Sequence, residues 1–62
     1  MPKLEIRLGE VVYTDGKYGA VLDMNDERWH PFRYFDSGGM DVHNDGFITP
    51  SGAYKMAKMY YT

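Results

Sequence analysis

The sequence predicts a mostly β domain with one short C-terminal helix, in which the strands form a small antiparallel sheet. Apolar and charged residues alternate near the N-terminus, which is typical of a strand, and two glycine-containing turns further along separate β-prone runs. Near the C-terminus, apolar residues recur at helical spacing after a threonine and a proline. With 62 residues, the chain has the length of a single domain that covers residues 1–62.

The first predicted strand lies in the stretch PKLEIRLG, where Leu4, Ile6 and Leu8 alternate with charged residues. This period of two predicts a strand with one dry face. Gly9 ends the alternation, because the next inward position would be Glu10. We therefore expect a bulge or a corner at this glycine.

Asp15-Gly16 stands between two β-prone runs and predicts a hairpin with a two-residue type I′ turn, which needs positive φ at both positions. Such a loop would pair Tyr13 with Tyr18. It also sorts the residues onto two faces, and we expect the core face to be the one that carries Val11, Tyr13, Tyr18, Ala20 and Leu22. Gly19, on the other face, would let a neighbouring strand or side chain lie close to the backbone.

The second predicted hairpin joins the aromatic stretch WHPFRYFD, residues 29–36, to a short return strand in MDVHN. The turn between them reads Ser-Gly-Gly. A loop made of the two glycines would place two aspartates opposite each other, an unfavourable pair of like charges. We therefore prefer a loop at Ser37-Gly38, which places Phe35 opposite Met40.

The C-terminal stretch TPSGAYKMAKMYYT predicts a short helix. Thr49 is placed as its N-cap, and Pro50 fits the first helical position because its missing N–H is not needed there. One face of this helix would carry Ala53, Met56, Ala57 and Tyr60, with Lys55 and Lys58 turned toward water. So short a helix depends on packing against the sheet.

Residues 41–52, DVHNDGFITPSG, resemble a calcium-binding loop because Asp41, His43 and Asp45 alternate as ligands would. The twelfth position, however, is Gly52 where an EF-hand loop has a bidentate glutamate, and the preceding segment predicts a strand rather than a helix. We interpret the stretch as a turn that leads into the helix. We expect no metal and no cofactor.

Composition narrows the class of protein further. The chain has no cysteine, which excludes disulfides and zinc–thiolate sites and is compatible with a reducing cytoplasm, where we expect the protein to be found. No apolar h-region is visible near the N-terminus and no apolar run approaches transmembrane length, so we expect neither a signal peptide nor a membrane partner. A formal net charge of −2 argues against a strongly basic nucleic-acid surface.

Residues 9–47 carry three short motifs at wide spacing: Gly9-Glu10-Val11-Val12, then Gly19-Ala20-Val21, then the turn Phe35-Asp36-Ser37-Gly38. In these motifs the chain resembles small SH3-like β-barrels of the KOW and Tudor type, found in bacterial and phage proteins. The resemblance implies a barrel that binds peptides, nucleic acids or larger assemblies and rarely does chemistry. Arg33 stands where an apolar residue is usual, and a minimal barrel has no C-terminal helix, so an open sheet covered by the helix is the alternative.

Nucleophilic catalysis would require Ser37 or Ser51 beside His30 or His43, with an acid to orient the histidine. Both serines lie in turn or helix-cap contexts, which account for them without catalysis. The acidic residues fall mostly in predicted loops, where solvated carboxylates are the rule. We expect no enzymatic activity.

The aromatic strand carries the candidate binding residues, because residues 29–35 hold more aromatic bulk than one face of a strand can bury. Pro31 also points to an edge position, since it cannot donate to a β-ladder. The predicted binding set is Trp29, His30, Phe32, Arg33 and Tyr34. Exposed aromatic residues beside arginine are typical of protein-interaction hot spots.

The leading hypothesis is a small non-enzymatic protein-binding module, such as an accessory or inhibitory protein that docks on a larger complex, with a protein partner or a second copy as its ligand. The alternative is a weak nucleic-acid-binding SH3-like barrel, in which aromatic rings stack on bases and lysine and arginine contact phosphates. Acidic residues outnumber basic ones nine to seven, which favours the protein-binding hypothesis.

Overall fold

The computed structural model describes all 62 residues and has the predicted order of five strands followed by one helix. The elements are β1 (Lys3–Arg7), β2 (Glu10–Thr14), β3 (Tyr18–Asp23), β4 (Arg28–Tyr34), β5 (Met40–Val42) and α1 (Pro50–Tyr60). The strands form one antiparallel sheet in the order β1-β2-β3-β4-β5. Since the first and last strands do not pair, the sheet is open, and the predicted mostly β fold with a C-terminal helix is confirmed.

The sheet curls strongly, which brings β1 toward β4. The guanidinium of Arg7 in β1 lies 5.0 Å from the ring centre of Tyr34 in β4, although two strands separate β1 from β4. In a flat sheet the two backbones would be about 14 Å apart, three strand spacings. The curl gives the sheet a concave face, to which both side chains belong, and a convex face.

The main hydrophobic core fills the concave face. Val12, Val21 and Phe32 are buried there, and Tyr34 and Met40 pack against them. The ring of Phe32 meets that of Tyr34 edge to face, with the ring centres 4.9 Å apart. Burial of Phe32, the largest fully buried side chain, makes this face the centre of the fold.

The predicted choice of core face is therefore wrong. The predicted set lies on the convex face under α1, and only Ala20 in it is fully buried. Ala53 and Ala57 bring the helix close to this face, where Pro31 is opposite Ala20 and is also fully buried. The large core side chains fill the concave face. The convex face therefore needs only small side chains where the helix packs against it.

The helix begins as predicted. The Thr49 hydroxyl accepts a hydrogen bond from the Gly52 N–H at 3.2 Å, and Pro50 occupies the first helical position. Lys58 lies in the last turn, where a positive charge favours the helix dipole. α1 is neither long enough nor apolar enough to cross a bilayer.

The first two strands join through a two-residue hairpin turn at Leu8 and Gly9, where the sequence predicted a bulge or a corner. Both residues have positive φ, +52° and +79°, as a two-residue hairpin turn requires. Leucine rarely adopts this conformation, so the turn is strained at its first position. The turn places the large aliphatic side chain of Leu8 at the tip of the hairpin.

The next hairpin differs from the predicted type I′ turn. Thr14 pairs with Gly19, which leaves residues 15–18 in the loop, and Tyr13 pairs with Ala20. The Asp15 carboxylate accepts hydrogen bonds from two backbone N–H groups of this loop, both at 2.9 Å, and this side-chain cap stabilises the longer turn. Since the pairing shifts by two residues, every side chain keeps its predicted face.

The hairpin between β4 and β5 adopts neither of the two registers considered from the sequence. Tyr34 lies opposite Met40 and Arg33 opposite Asp41, so the loop covers residues 35–39. The Phe35 N–H donates to the Gly39 carbonyl at 2.8 Å, which closes this longer loop. The observed register places opposite charges across the ladder instead of two aspartates.

Gly19 is the position where the backbone is approached most closely, as the sequence predicted. A Cβ at residue 19 would lie 2.6 Å from the Tyr13 carbonyl oxygen and 2.8 Å from the Phe32 ring. We expect Gly19→Ala to lower the free energy of unfolding by about 1–3 kcal/mol, the range for overpacked cores. Urea denaturation measures this change.

Gly39→Ala is the matched control, because a Cβ there meets only the Phe35 ring, at 3.4 Å. We expect its denaturation midpoint to stay close to that of the parent. Equal midpoints for Gly19→Ala and the parent would contradict the described packing of Phe32 against β3.

Candidate functional site

The predicted binding residues do not form one surface. His30, Phe32 and Tyr34 belong to the concave face, whereas Trp29 and Arg33 belong to the convex one. Phe32 is fully buried and His30 is buried, so both serve the interior of the fold. The remaining three side chains are half-buried.

Arg33 is held by its own chain on the convex face. Its guanidinium lies 4.9 Å from the ring centre of Phe35 and 5.3 Å from that of Tyr61. The Arg33 Nε atom is 3.9 Å from a carboxylate oxygen of Asp41. These contacts give the aliphatic stem and the charge of Arg33 partners within the chain.

Trp29 connects β4 to the segment that precedes the helix. Its backbone N–H and carbonyl exchange hydrogen bonds with Phe47, each at 2.8 Å. This bridge could not be predicted, because Phe47 lies in a stretch interpreted as a turn. It holds the segment before α1 against β4 through the backbone, and the Trp29 side chain stays half-buried.

The calcium-like segment leads through an irregular turn into α1, as predicted. Its three candidate ligands have different partners. Asp41 lies beside Arg33, Asp45 accepts a hydrogen bond from the Tyr60 hydroxyl at 2.7 Å, and the His43 ring stacks on Tyr60 with centres 4.2 Å apart. These contacts tie the segment to the C-terminal end of the helix.

A different group of acids surrounds His30. Ligand atoms of Asp23, Asp26 and His30 lie within 4.8 Å of one another. The His30 Nε2 atom is 2.8 Å from a carboxylate oxygen of Asp26, and Nδ1 is 3.0 Å from the His43 carbonyl oxygen. Both neighbours are acceptors, so the ring satisfies both contacts only when both nitrogens carry protons.

The balance of forces at His30 favours this charged form. Burial lowers the pKa of His30, but the hydrogen bonds to Asp26 and to the His43 carbonyl, with the negative charges of Asp26 and Asp23, outweigh it and raise the pKa. Desolvation raises the pKa of Asp26, but its hydrogen bonds from His30 and from the Arg28 N–H dominate and lower it. His30 and Asp26 therefore form an ion pair at the edge of the core.

A cleft of about 740 Å³ opens beside this ion pair. Its lining includes Glu10, Val21, Asp23, His30, Val42 and His43. No serine, cysteine or lysine lines it, and the ring of His30 is engaged at both nitrogens. The geometry thus gives the cleft an anionic wall, formed by Glu10 and Asp23, beside an imidazolium that is hydrogen-bonded at both nitrogens.

Three of the exposed large apolar side chains follow one another along the N-terminal hairpin. Leu4, Ile6 and Leu8 are 64%, 76% and 91% exposed, and every residue of β1 is exposed. We call these three residues the N-terminal apolar surface. The sequence predicted a dry face for this strand, and that prediction is wrong.

The exposure of β1 follows from the size of α1. The helix packs against β2, β3 and β4. A helix is about 10 Å wide, whereas five strands span about 19 Å between the outer backbones, so one helix cannot cover the whole convex face. Sequence reasoning could have found the uncovered strand by comparing these two widths.

No protein-family model, curated protein or solved structure matches this chain.

The ion pair between His30 and Asp26 predicts how stability changes with pH. A raised histidine pKa contributes stability that is complete below the unfolded value, about 6.5, and is lost as pH rises through the folded pKa. The lowered pKa of Asp26 contributes stability that is lost only as pH falls through the folded value, below about 4. We therefore expect urea midpoints to fall as the pH rises above about 6.5.

The variant Asp26→Asn removes the ion pair, and we expect its midpoint to change less over this pH range. Asp36→Asn, in an exposed loop, is the control and should keep the profile of the parent. If Asp26→Asn and the parent show the same pH dependence, His30 is not held in its charged form.

Proposed function

We propose that this protein is a small non-enzymatic protein-binding module that docks through its N-terminal apolar surface, Leu4, Ile6 and Leu8. The observation that carries the proposal is the exposure of three large aliphatic side chains, two on the edge strand β1 and one on the turn that follows it. Burial of each such side chain contributes about 1.5–3 kcal/mol when it is complete. A partner that covers the surface gains this free energy, and the isolated chain forgoes it.

The free edge of β1 adds a second source of affinity. An edge strand presents unpaired backbone N–H and C=O groups, which natural sheets usually cover or block. A partner strand that pairs with this edge extends the sheet, and pockets for alternate side chains then supply specificity. The free edge and two of the three apolar residues, Leu4 and Ile6, lie on the same five-residue strand, so one extended segment can use both.

The contacts of three of the seven basic residues favour a protein ligand over nucleic acid. Arg7 lies over Tyr34, Lys17 lies 5.4 Å from the ring centre of Tyr18, and Arg33 lies between two aromatic rings and beside Asp41. These side chains are dispersed over both faces. A phosphate backbone would need several free cations along one face.

The same proposal includes the resemblance to SH3-like modules and the role of an accessory or inhibitory protein in a larger complex. A curled meander of five short strands supports the resemblance. The lack of cysteine supports a cytoplasmic setting, and the bacterial or phage origin rests on the resemblance alone. The sequence predicted binding residues on β4. We propose a docking surface on β1 instead, because β4 lies between β3 and β5 in the sheet.

A photoreactive amino acid at position 6 tests the docking surface. We expect it to give covalent protein adducts in the native cells, because Ile6 is 76% exposed and lies at the centre of the apolar surface. The adducts are detected by gel mobility and identified by mass spectrometry. A photoreactive residue at position 55, on the outer face of α1, is the control and should give none.

Circular dichroism melts confirm that both labelled chains are folded. Adducts at neither position, or equally at both, would exclude the N-terminal surface as the docking site.

A further inference from the structure

We infer that the occupant of the N-terminal apolar surface is a second copy of this chain, paired antiparallel along β1 about a two-fold axis through Leu4. This inference rests on the proposed function, since it names the partner of the same surface. Pairing of the two edges would join the two sheets into one.

Backbone direction determines which residues of β1 can pair outward. The turn at Leu8 and Gly9 has two residues and is flanked by the pair Arg7 and Glu10. In such a hairpin the flanking pair exchanges hydrogen bonds, and every second residue does so thereafter. Residues 3, 5 and 7 of β1 therefore bond to β2, whereas Leu4 and Ile6 direct their N–H and C=O groups toward the free edge.

Three registers that centre the pairing on the inner residues of β1 keep the aliphatic side chains of both copies on the same face of the joined sheet. They place the two-fold axis at Leu4, at Glu5 or at Ile6. Shifts by one residue would place aliphatic residues opposite charged ones and are excluded. The charges of Lys3, Glu5 and Arg7 distinguish the remaining three.

The register centred on Glu5 has like charges throughout. It places Glu5 opposite itself and Lys3 opposite the Arg7 of the second copy, and like charges directly opposite each other are destabilising. The register centred on Leu4 has the reverse property. It places Lys3 opposite the Glu5 of the second copy, and the two-fold axis repeats this favourable pair.

The register centred on Ile6 also pairs opposite charges, Glu5 with Arg7, but the backbone opposes it. It would need Leu8 as a strand residue opposite Leu4, whereas Leu8 lies in the turn with φ of +52°. The Arg7 side chain is also turned over Tyr34. The register centred on Leu4 uses residues 2–6 and leaves the turn free.

This register pairs most of the outward-facing backbone groups. The two Leu4 residues exchange hydrogen bonds across the axis, and each Ile6 N–H donates to the Pro2 carbonyl of the other copy. Proline lacks an N–H, so the Ile6 carbonyl accepts no hydrogen bond from Pro2 in return. On the convex face, Leu4 packs against Leu4 and each Ile6 against Pro2, which shields side chains that are mostly exposed in the single chain.

The expected affinity is modest. Pairing of one five-residue edge buries less than the about 1,200 Å² typical of stable complexes, and interfaces below that size belong to weak, transient associations. The chain should therefore be a dimer in reversible equilibrium with its monomer. Sedimentation velocity at chain concentrations between about 10 µM and about 1 mM measures this equilibrium, because this range includes the dissociation constants of weak complexes.

Charge exchange between positions 3 and 5 tests the register. We expect Lys3→Glu and Glu5→Lys each to weaken dimerisation about tenfold or more, since each turns both symmetric pairs into like charges. The double variant Lys3→Glu with Glu5→Lys should recover the parent affinity. An equimolar mixture of the two single variants should form a heterodimer, because Glu then faces Lys at every pair.

Arg7→Glu is the control, because Arg7 has no charged partner in this register, and its dimerisation constant should stay within about twofold of the parent. Circular dichroism checks that all variants fold. A parent that stays monomeric at about 1 mM, or a mixture that does not form the heterodimer, overturns the inference. Loss of dimer in Arg7→Glu, with its fold intact, assigns the axis to Ile6 and overturns the register proposed here.

The photoreactive residue at position 6 separates this inference from the proposed function. Adducts between two copies of the chain, together with a dimer in sedimentation, support both. Adducts to a different protein, with a monomeric parent, support the docking surface and exclude the second copy as its occupant. No adduct at position 6 and a monomeric parent exclude both.

Discussion

The packing of Phe32 across Gly19 is the contact on which the rest of the structure depends. The two residues are directly opposite in the ladder between β3 and β4, and the ring lies where a Cβ of residue 19 would be. An aromatic ring over a cross-strand glycine fills the space that the glycine leaves and favours local bending of the sheet. The ring thereby reaches Val12 and Val21, and the concave face closes over one large side chain.

This contact also determines why the two faces of the sheet carry side chains of different size. Since the concave face holds the large core residues, the convex face can receive the helix with alanines, and Ala20 faces the helix that carries Ala53 and Ala57. Close approach of the helix strengthens its contacts with the central strands, but one narrow helix leaves β1 uncovered. The exposed aliphatic residues of β1 are thus a consequence of how the core is built.

Much of the fold could be predicted from the sequence because its signals are local. The period of two in β1, the Thr49-Pro50 helix start and the need for a glycine at residue 19 each depend on a few neighbouring residues, and each appears as predicted. The two later hairpin registers could not be predicted, because side-chain caps such as that of Asp15 and the pairing of Arg33 with Asp41 set the loop lengths.

The choice of core face and the candidate site were harder to predict for a different reason. Both depend on the curl of the sheet, which arises from contacts between strands far apart in sequence, such as that of Arg7 with Tyr34. Aromatic bulk in β4 suggested an outward-facing set, but a curled sheet buries Phe32 completely and takes His30 into an ion pair. The uncovered surface then lies on β1, for which the sequence indicated no binding residues.

The charges of β1 can be understood in the same physical terms. Natural edge strands commonly carry inward-pointing charges that oppose unwanted pairing, and Lys3, Glu5 and Arg7 occupy such positions on the concave side. A row that alternates in sign does not oppose every register equally: centred on Glu5 it repels, and shifted by one residue pair it attracts. The strained turn at Leu8 then blocks the shift toward the hairpin tip, because a strand cannot continue through positive φ. The alternating charges and this turn therefore disfavour other pairings of this edge but permit the register centred on Leu4. That register covers aliphatic residues on the convex face.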